Sequence, residues 1–153
     1  MLKCIRTNYD NVDFQALVKL LDADLKVRDR DEHAFYNQFN KIDALKWVVV
    51  AYDDGALPVG CGAIKAYAED TAEVKRMFVQ PNQRGQGVAS VVLRALEDWA
   101  AELSFEKCVL ETGIRQPEAI RLYEKNGYRR TPNYGHYLHV ENSVCFGKDL
   151  KKE

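Results

Sequence analysis

The sequence lacks an excess of charge of either sign. It contains 22 Lys and Arg residues and 23 Asp and Glu residues in a chain of 153, so its formal net charge is −1. Proteins that coat nucleic acid or an anionic membrane usually carry a clear positive excess. The charge balance therefore argues against both kinds of partner.

Long hydrophobic runs and a secretory leader are also missing. No apolar run approaches the roughly 20 residues that a membrane-spanning helix requires. The first six residues include Lys3 and Arg6, and they do not begin the apolar segment of about 7 to 15 residues found in a secretory signal. We therefore expect a cytoplasmic protein.

Cysteines are few and scattered. The chain has no Cys-x-x-Cys pair, and no histidine adjoins any of the four cysteines, which are Cys4, Cys61, Cys108 and Cys145. Zinc sites and disulfide frameworks usually show closer or paired spacing. We therefore expect free thiols in a reducing compartment and no bound metal.

Repeats, low-complexity tracts and linkers are absent as well. Hydrophobic residues make up 46% of the chain and charged residues 29%, a composition typical of soluble globular proteins. A chain of this length buries about 70% of its unfolded surface when it folds. We expect a single domain over residues 1–153.

Hydrophobic periodicity predicts groups of strands separated by helices. Helices are predicted over residues 12–27, 33–39, 87–103 and Pro117–Lys125. Strands are predicted over residues 2–6, Trp47–Tyr52, 58–67, Thr71–Val79, 107–110 and 143–146, and the segment before the last strand also alternates like a strand. This order indicates an α+β fold with a meander of neighbouring strands and one β-α-β crossover around the long central helix.

The strongest local signal is a pair of glycines between a predicted strand and the central helix. Gly85 and Gly87 allow a sharp turn in which successive backbone N–H groups point into one concavity. The start of the helix adds about half a positive charge at the same place. The pattern predicts an anion site suited to phosphate or pyrophosphate, with Arg84 as a further charged contact.

Other interpretations of this loop are weaker. A tight turn without a ligand remains possible from the glycines alone, whereas a Walker loop is excluded because no Gly-Lys-Ser/Thr follows. A dinucleotide fingerprint would need a third glycine where Ser90 stands, although Glu111 lies roughly where a ribose-binding acid would be. The loop also begins too late in the chain to leave room for two mononucleotide-binding halves.

Two segments resemble motifs of the GNAT superfamily of N-acetyltransferases. Residues 84–89, Arg-Gly-Gln-Gly-Val-Ala, are similar to the family's Arg/Gln-x-x-Gly-x-Gly/Ala loop, which follows the fourth strand and opens the central helix. Residues 116–128 resemble the family's second cofactor-contacting segment, Asn-x-x-Ala-x-x-Leu-Tyr-x-x-x-Gly-Phe/Tyr. Gln116 replaces the usual Asn, and its longer amide can make similar contacts.

The resemblance implies a mixed, mostly antiparallel central sheet flanked by helices, with acetyl-CoA as cosubstrate and no metal. The strands ending at Val79 and Leu110 would splay apart to open a cleft for the cofactor. The backbone of Met77, Phe78 and Val79 would pair with the pantetheine arm like an added strand. The remaining implied contacts, mainly backbone N–H groups at the pyrophosphate, come from Arg84, Gly85, Gln86, Gly87, Val88, Ala89 and Ser90, with Gln116 and Tyr123 in the second segment.

Acetyl transfer to an amine requires a neutral amine and therefore a route for its proton, because an alkylammonium with a pKa of about 10.4 cannot attack. Strand alternation along Thr71–Val79 predicts that Glu73, Lys75, Met77 and Val79 share one face. The resemblance implies that Glu73 is the general base, acting directly or through water. Glu111, at the end of the neighbouring strand, and a chain of water molecules are the alternatives.

The departing thiolate gains from a proton, and the developing oxyanion needs a hydrogen-bond donor. Tyr123 stands where the family usually has a tyrosine whose hydroxyl faces the coenzyme sulfur, so the resemblance implies that it is the general acid. The alternative is an ordinary core tyrosine on an amphipathic helix. A backbone N–H near Phe78, released by a bulge, is the implied oxyanion donor.

Several aromatic and histidine residues have more than one interpretation. In a strand-like segment His136 and His139 would face opposite sides, so we do not expect a metal there. His33 could line the acceptor site, but a solvated charged turn explains it as well. Tyr134, Gly135 and Tyr137 form either another wall of the site or packing beneath the last strands.

The sequence therefore predicts direct acetyl transfer from acetyl-CoA to an amine, with a small-molecule acceptor favoured over a protein. No cysteine lies in a motif that would indicate a covalent enzyme intermediate. A non-catalytic acyl-CoA-binding module and transfer of a longer acyl chain are the alternatives. A homodimer is possible by analogy with the family.

Overall fold

The structure is a computed structural model that describes residues 1–29 and 45–150. The predicted helix over residues 33–39 and the side chain of His33 lie outside the described residues. The strands are β1 Lys3–Thr7, β2 Trp47–Tyr52, β3 Pro58–Ala68, β4 Thr71–Val79, β5 Lys107–Gly113, β6 Arg129–Thr131 and β7 Ser143–Asp149. The helices are α1 Val12–Asp29, α2 Val88–Glu102 and α3 Pro117–Lys125.

The seven strands form one sheet in the order β1-β2-β3-β4-β5-β7-β6. All neighbouring pairs are antiparallel except β4 and β5, which are parallel and are joined through α2. The predicted α+β class, the meander and the single β-α-β crossover are thus confirmed. Within the described ranges, no helix is long and apolar enough to cross a membrane.

Helices cover both faces of the sheet, and this explains why β2 is an unbroken apolar run. Val49 belongs to the hydrophobic cluster on the α2 face, together with Leu93 and Leu96. Val48 and Val50 belong to the cluster on the α1 face. A strand that is buried on both faces has no polar alternation to show.

The parallel strands β4 and β5 stay together for only a short distance. Thr71–Glu73 of β4 pairs with residues 107–109 of β5, and no pairing between these strands continues beyond that point. The two strands still run on to Val79 and Gly113. They therefore diverge, and the predicted splayed cleft is confirmed.

The prediction that alternation continues along the whole of β4 is wrong, because the strand contains a bulge. Phe78 pairs with Cys61 and Lys75 pairs with Ala63, so two residues of β4 stand opposite Gly62 alone. One of them, Arg76, has a left-handed backbone with φ +59°. A bulge of this kind reverses the facing of every later side chain in the strand.

The clusters on the two faces of the sheet show this reversal. Before the bulge, Val74 faces α2, which leaves Glu73 and Lys75 on the α1 face. After the bulge, Val79 faces α2 and Phe78 faces α1. Glu73 and Lys75 therefore share one face, whereas Met77 and Val79 lie on the other.

Candidate active site

The gap between the diverging strands contains two adjoining cavities, of about 470 Å³ and about 100 Å³. Five residues line both cavities: Leu21, Met77, Gln116, Ala119 and Tyr123. The cavities are therefore the two ends of one cleft, and Tyr123 stands where they meet.

The larger cavity collects nearly all the residues that the sequence predicts for cofactor binding. Its lining includes Met77, Phe78, Val79, Arg84, Gly85, Gly87, Val88, Ala89, Ser90, Gln116 and Tyr123. Gln86 is the exception, since its side chain is exposed and does not line the cavity. The two motifs, separate in sequence, thus border one space.

The glycine loop has the conformation expected of an anion site. Gly85 and Gly87 have φ values of +80° and +82°, in the left-handed region that other residues adopt rarely. A Cβ atom at either position would meet no atom within 4 Å, so backbone conformation rather than crowding favours glycine here. Helix α2 begins at Val88, directly after the loop, and its first N–H groups are not used by the helix itself.

Arg84 has a structural contact as well as a place in the cavity wall. Its Nε donates a hydrogen bond of 3.0 Å to the backbone oxygen of Val79, and its guanidinium lies 5.6 Å from the centre of the Phe78 ring. These contacts join the loop to the end of β4. The arginine therefore holds the two parts of the predicted cofactor site together.

Ser90 is engaged by a residue that the sequence analysis did not identify. The Nδ2 of Asn126 donates to Ser90 Oγ at 3.1 Å and to the backbone oxygen of Leu122 at 2.9 Å. Asn126 thereby links the first turn of α2 to the end of α3. Its position just after a helix is the signal that could have identified it, as a candidate helix cap.

Tyr123 has the packing of a core tyrosine and also lies in the wall of the cleft. Its ring packs against Tyr128 and Phe146, with centroids 5.8 Å and 6.1 Å away, and it is only 6% exposed. It also lines both cavities. Burial, with a further contribution from the charge of Glu111, raises the pKa of Tyr123, so its hydroxyl stays protonated at neutral pH.

The two candidate bases, Glu73 and Glu111, line the same smaller cavity. Glu73 is buried, and Tyr134 donates a hydrogen bond of 2.7 Å to its Oε2. Glu111 is half-buried, and Ser143 donates a hydrogen bond of 2.8 Å to its Oε2. Both carboxylates thus lie at the smaller cavity, on the side of Tyr123 away from the glycine loop.

Lys75 and Arg76 line the same smaller cavity, and the sequence analysis assigned neither of them a role. Burial lowers the pKa of Lys75, while the charges of Glu73 and Glu111 act in the opposite direction. Its Nζ lies 3.4 Å from the hydroxyl of Tyr137. Arg76 forms an ion pair with Asp22 of α1.

The segment from Tyr134 to Tyr137 forms part of the wall at the smaller cavity. Tyr137 lines the smaller cavity, and Tyr134 reaches it through Glu73. Gly135–Tyr137 is a short 3-10 helix, so the expectation of a strand-like conformation around His136 is wrong. In residues 1–29 and 45–150, no group of three or more His, Cys, Asp or Glu side chains could hold a metal ion.

Comparisons with known proteins agree on one family. A model described as the acetyltransferase (GNAT) family matches residues 14–128. The IAA acetyltransferase of Azospirillum brasilense is 42% identical over 80 residues, which are 52% of each chain. The first three curated relatives are matched over only 52 to 64% of their own lengths.

Solved structures extend the likeness to the whole chain. A crystal structure described as an acyl-CoA N-acyltransferase from Klebsiella pneumoniae is 29% identical, covers 99% of both chains and has a TM-score of 0.83. The PaiA N-acetyltransferase of Thermoplasma acidophilum, in complex with coenzyme A, is 15% identical with a TM-score of 0.71, covering 97% of this chain and 99% of that one. The second likeness is one of fold alone.

Proposed function

Because the chain belongs to the acetyltransferase (GNAT) family, we propose that it transfers an acetyl group from acetyl-CoA directly to an amine of a small molecule. The observation that carries this proposal is the continuous cleft. One end has the glycine loop, the other has two buried or half-buried carboxylates, and Tyr123 lies between them. Bound acetyl-CoA supplies the thioester whose acetyl group is transferred.

The residues at the larger cavity fit a long anionic thioester. Backbone N–H groups of residues 85–89 are available to bind a diphosphate, because two left-handed glycines lead directly into a helix start. The edge of β4 beyond Glu73 is unpaired on the β5 side, so Met77, Phe78 and Val79 can accept a pantetheine arm as an added strand. Arg84 and Ser90 support the loop at either end.

Glu73 is our candidate for the group that accepts the amine proton, directly or through water. Its Oε2 is held by Tyr134, which fixes the carboxylate toward the cleft at the point where β4 leaves β5. Glu111 is the alternative, since it lines the same cavity and is held by Ser143. A fixed carboxylate near the acceptor meets the geometric requirement for a general base.

Tyr123 is our candidate for the group that protonates the departing sulfur. Its raised pKa keeps the hydroxyl proton in place, so it can donate to a thiolate throughout the neutral range. It lies at the junction of the cofactor end and the acceptor end of the cleft. This is the position that the transferred group must pass.

The cysteines support direct transfer rather than a covalent acetyl-enzyme. Burial raises the pKa of Cys61 and Cys108 to about 12 and that of Cys145 to about 11. The thiolate is the nucleophilic form, so these thiols are almost wholly inactive at neutral pH. Burial also raises the pKa of the half-buried Cys4.

The proposal is tested by measuring thiol release from acetyl-CoA across a panel of amines. We expect release that depends on both the protein and the amine, and an acetylated amine among the products. Binding of acetyl-CoA without turnover on small amines, amino acids and peptides would instead identify a non-catalytic acyl-CoA-binding module. If the thiol is released faster from a longer acyl-CoA than from acetyl-CoA, the transferred group is a longer acyl chain and not acetyl.

A further inference from the structure

The bulge in β4 places two adjacent basic side chains on the same face of the sheet. In a regular strand Lys75 and Arg76 would point to opposite faces. Here Lys75 faces the α1 side, and the next residue, Arg76, reaches Asp22 of α1. Both residues line the smaller cavity, beside Glu73 and Glu111.

Two features of Arg76, its backbone conformation and the hydrogen bonding of its side chain, are not explained by packing alone. Its backbone lies in the left-handed region, with φ +59°, a conformation that concentrates at functional sites in residues other than glycine. Its side chain is only 1% exposed, yet Nε and Nη1 have no hydrogen-bond partner among the described residues. Buried donors without partners are rare in folded proteins and call for an acceptor.

The pairing of Arg76 with Asp22 uses only one of its nitrogen atoms, Nη2. Asp22 is 41% exposed at the surface of α1, so part of its own charge is hydrated. Water is an effective competitor for an exposed carboxylate. The ion pair therefore positions the guanidinium, while Nε and Nη1 have no acceptor within residues 1–29 and 45–150.

Lys75 adds a second positive charge at the same wall. It is partly buried, and among the described residues its Nζ has one long contact, of 3.4 Å, with the hydroxyl of Tyr137. Glu73 and Glu111 supply negative charge to the same cavity. The acceptor end thus has both cationic and anionic groups, which a ligand with both an amine and a carboxylate would satisfy.

We propose that the acceptor is an amine that also carries a carboxylate, as an amino acid does, and that Lys75 and Arg76 bind this carboxylate. This inference rests on the proposed acetyl transfer. The carboxylate accepts charge-assisted hydrogen bonds from the two side chains, and the amine is directed toward Glu73 and Tyr123. Asp22 holds Arg76 in place for this contact.

A matched series of acceptors tests the inference. Each of the common amino acids is compared with its amide, in which a neutral carboxamide replaces the carboxylate, and with the corresponding decarboxylated amine. Initial rates of thiol release from acetyl-CoA give kcat/KM for each acceptor. We expect the amino acids to exceed their neutral counterparts by on the order of 10- to 100-fold, the range expected for hydrogen bonds to a buried charge.

Substitutions then assign this preference to the two residues. Lys75→Gln and Arg76→Gln are each expected to reduce the ratio of kcat/KM for an amino acid over its amide by about 10-fold or more. The ratio is measured in one preparation, so a partly unfolded fraction cancels. Arg76→Lys, which keeps a positive charge, should retain part of the preference, and Lys107→Gln, at an exposed site on β5, should leave it unchanged.

Each outcome gives a definite answer. Transfer to neutral amines or amides at rates equal to or above those of the amino acids would overturn the inference and leave the proposed acetyl transfer intact. The inference is also overturned, with the acetyl transfer intact, if both Gln variants keep the preference for amino acids over their amides. A preference for an amine that carries a phosphate instead of a carboxylate overturns it too. No transfer to any acceptor by protein that binds acetyl-CoA would contradict the transfer reaction and the inference together.

Discussion

At the scale of single residues, the proposed chemistry depends on contacts between parts of the chain that are far apart in sequence. Tyr134 donates to Glu73 across 61 residues, and Ser143 donates to Glu111 across 32. Each donor fixes one carboxylate oxygen and so reduces the number of positions that the candidate base can adopt. Fixed geometry of this kind is what general base catalysis requires.

Replacing Tyr123 by Phe should lower kcat by roughly 10- to 1000-fold, because it removes the proposed proton donor and little packing area. The affinity for acetyl-CoA, measured by the rise in melting temperature, should hardly change. The raised pKa has a second consequence, because a donor that keeps its proton to higher pH delays any alkaline fall in rate. At a saturating concentration of the amine, the wild-type kcat should therefore show no descending limb up to about pH 10. Full turnover in the Phe variant would make Tyr123 a core residue only.

Glu73→Gln should shift the rise of kcat/KM with pH to higher values, because the internal proton acceptor is lost while size and hydrogen-bonding capacity are kept. The loss should shrink as the pH approaches the pKa of the amine, about 10.4 for an alkylamine, where the neutral form is plentiful. Glu111→Gln is the matched control, measured with the same amine. A loss that does not vary with pH would show that Glu73 binds substrate, and a shifted profile in Glu111→Gln alone would move the assignment there.

At the scale of elements, two local irregularities shape the cleft: the glycine loop before α2 and the bulge in β4. The loop was predictable because its residues are contiguous and its two glycines indicate a sharp turn directly before a helix. The bulge was implied near Phe78 by the family resemblance alone, since Arg76 in the sequence gives no sign of a left-handed backbone or of the irregular pairing opposite Gly62. Alternation therefore placed Met77 on the wrong face, although the strand itself was correctly predicted.

Gly87→Glu should abolish acetyl-CoA binding, because a carboxylate would stand in the concavity where the diphosphate is expected. The side chain would enter open space, so crowding is not the cause, but the backbone at φ +82° adds strain. Gly87→Ala separates the two effects, since it brings the same strain without the charge. We expect the Ala variant to keep a clear rise in melting temperature with acetyl-CoA and the Glu variant to show none. Equal behaviour of the two would assign the loss to strain.

Gly62→Ala should test the packing beneath the bulge. A Cβ there would lie 2.5 Å from Met77 Sδ, 2.8 Å from Leu96 Cδ1 and 3.2 Å from Val92 Cγ1, so one partly buried and two buried side chains must move. We expect the free energy of unfolding, measured by urea denaturation, to fall by about 1 to 3 kcal/mol. Gly55→Ala, in an exposed turn, is the control and should change it by less than about 0.5 kcal/mol. An unchanged free energy of unfolding in Gly62→Ala would mean that the neighbouring side chains can move aside without loss of packing.

At the scale of the whole molecule, the sequence was enough for the α+β class and the crossover, and its resemblance to a family implied the splayed cleft and most of the residues that line the larger cavity. The class and the crossover follow from periodicity, whereas the cleft and its lining are what two motifs within contiguous segments imply by resemblance. The surroundings of the smaller cavity were only partly predictable, because Asp22, Tyr134 and Ser143 contact its lining residues from α1 and from the last segments of the chain. Such contacts are set by the folded sheet, which brings β1 through β7 into one layer, and no local pattern encodes them.

The melting temperature measured with increasing acetyl-CoA tests the central claim most directly, because every proposed step requires this cleft to bind the thioester. A ligand that binds only the folded state stabilises it by about 2.7 kcal/mol at 100 times its dissociation constant. We predict a saturable rise in melting temperature in the wild-type protein and none in Gly87→Glu. A wild-type melting temperature that does not change at millimolar acetyl-CoA would contradict the claim that the cleft binds acetyl-CoA, and with it the proposed transfer.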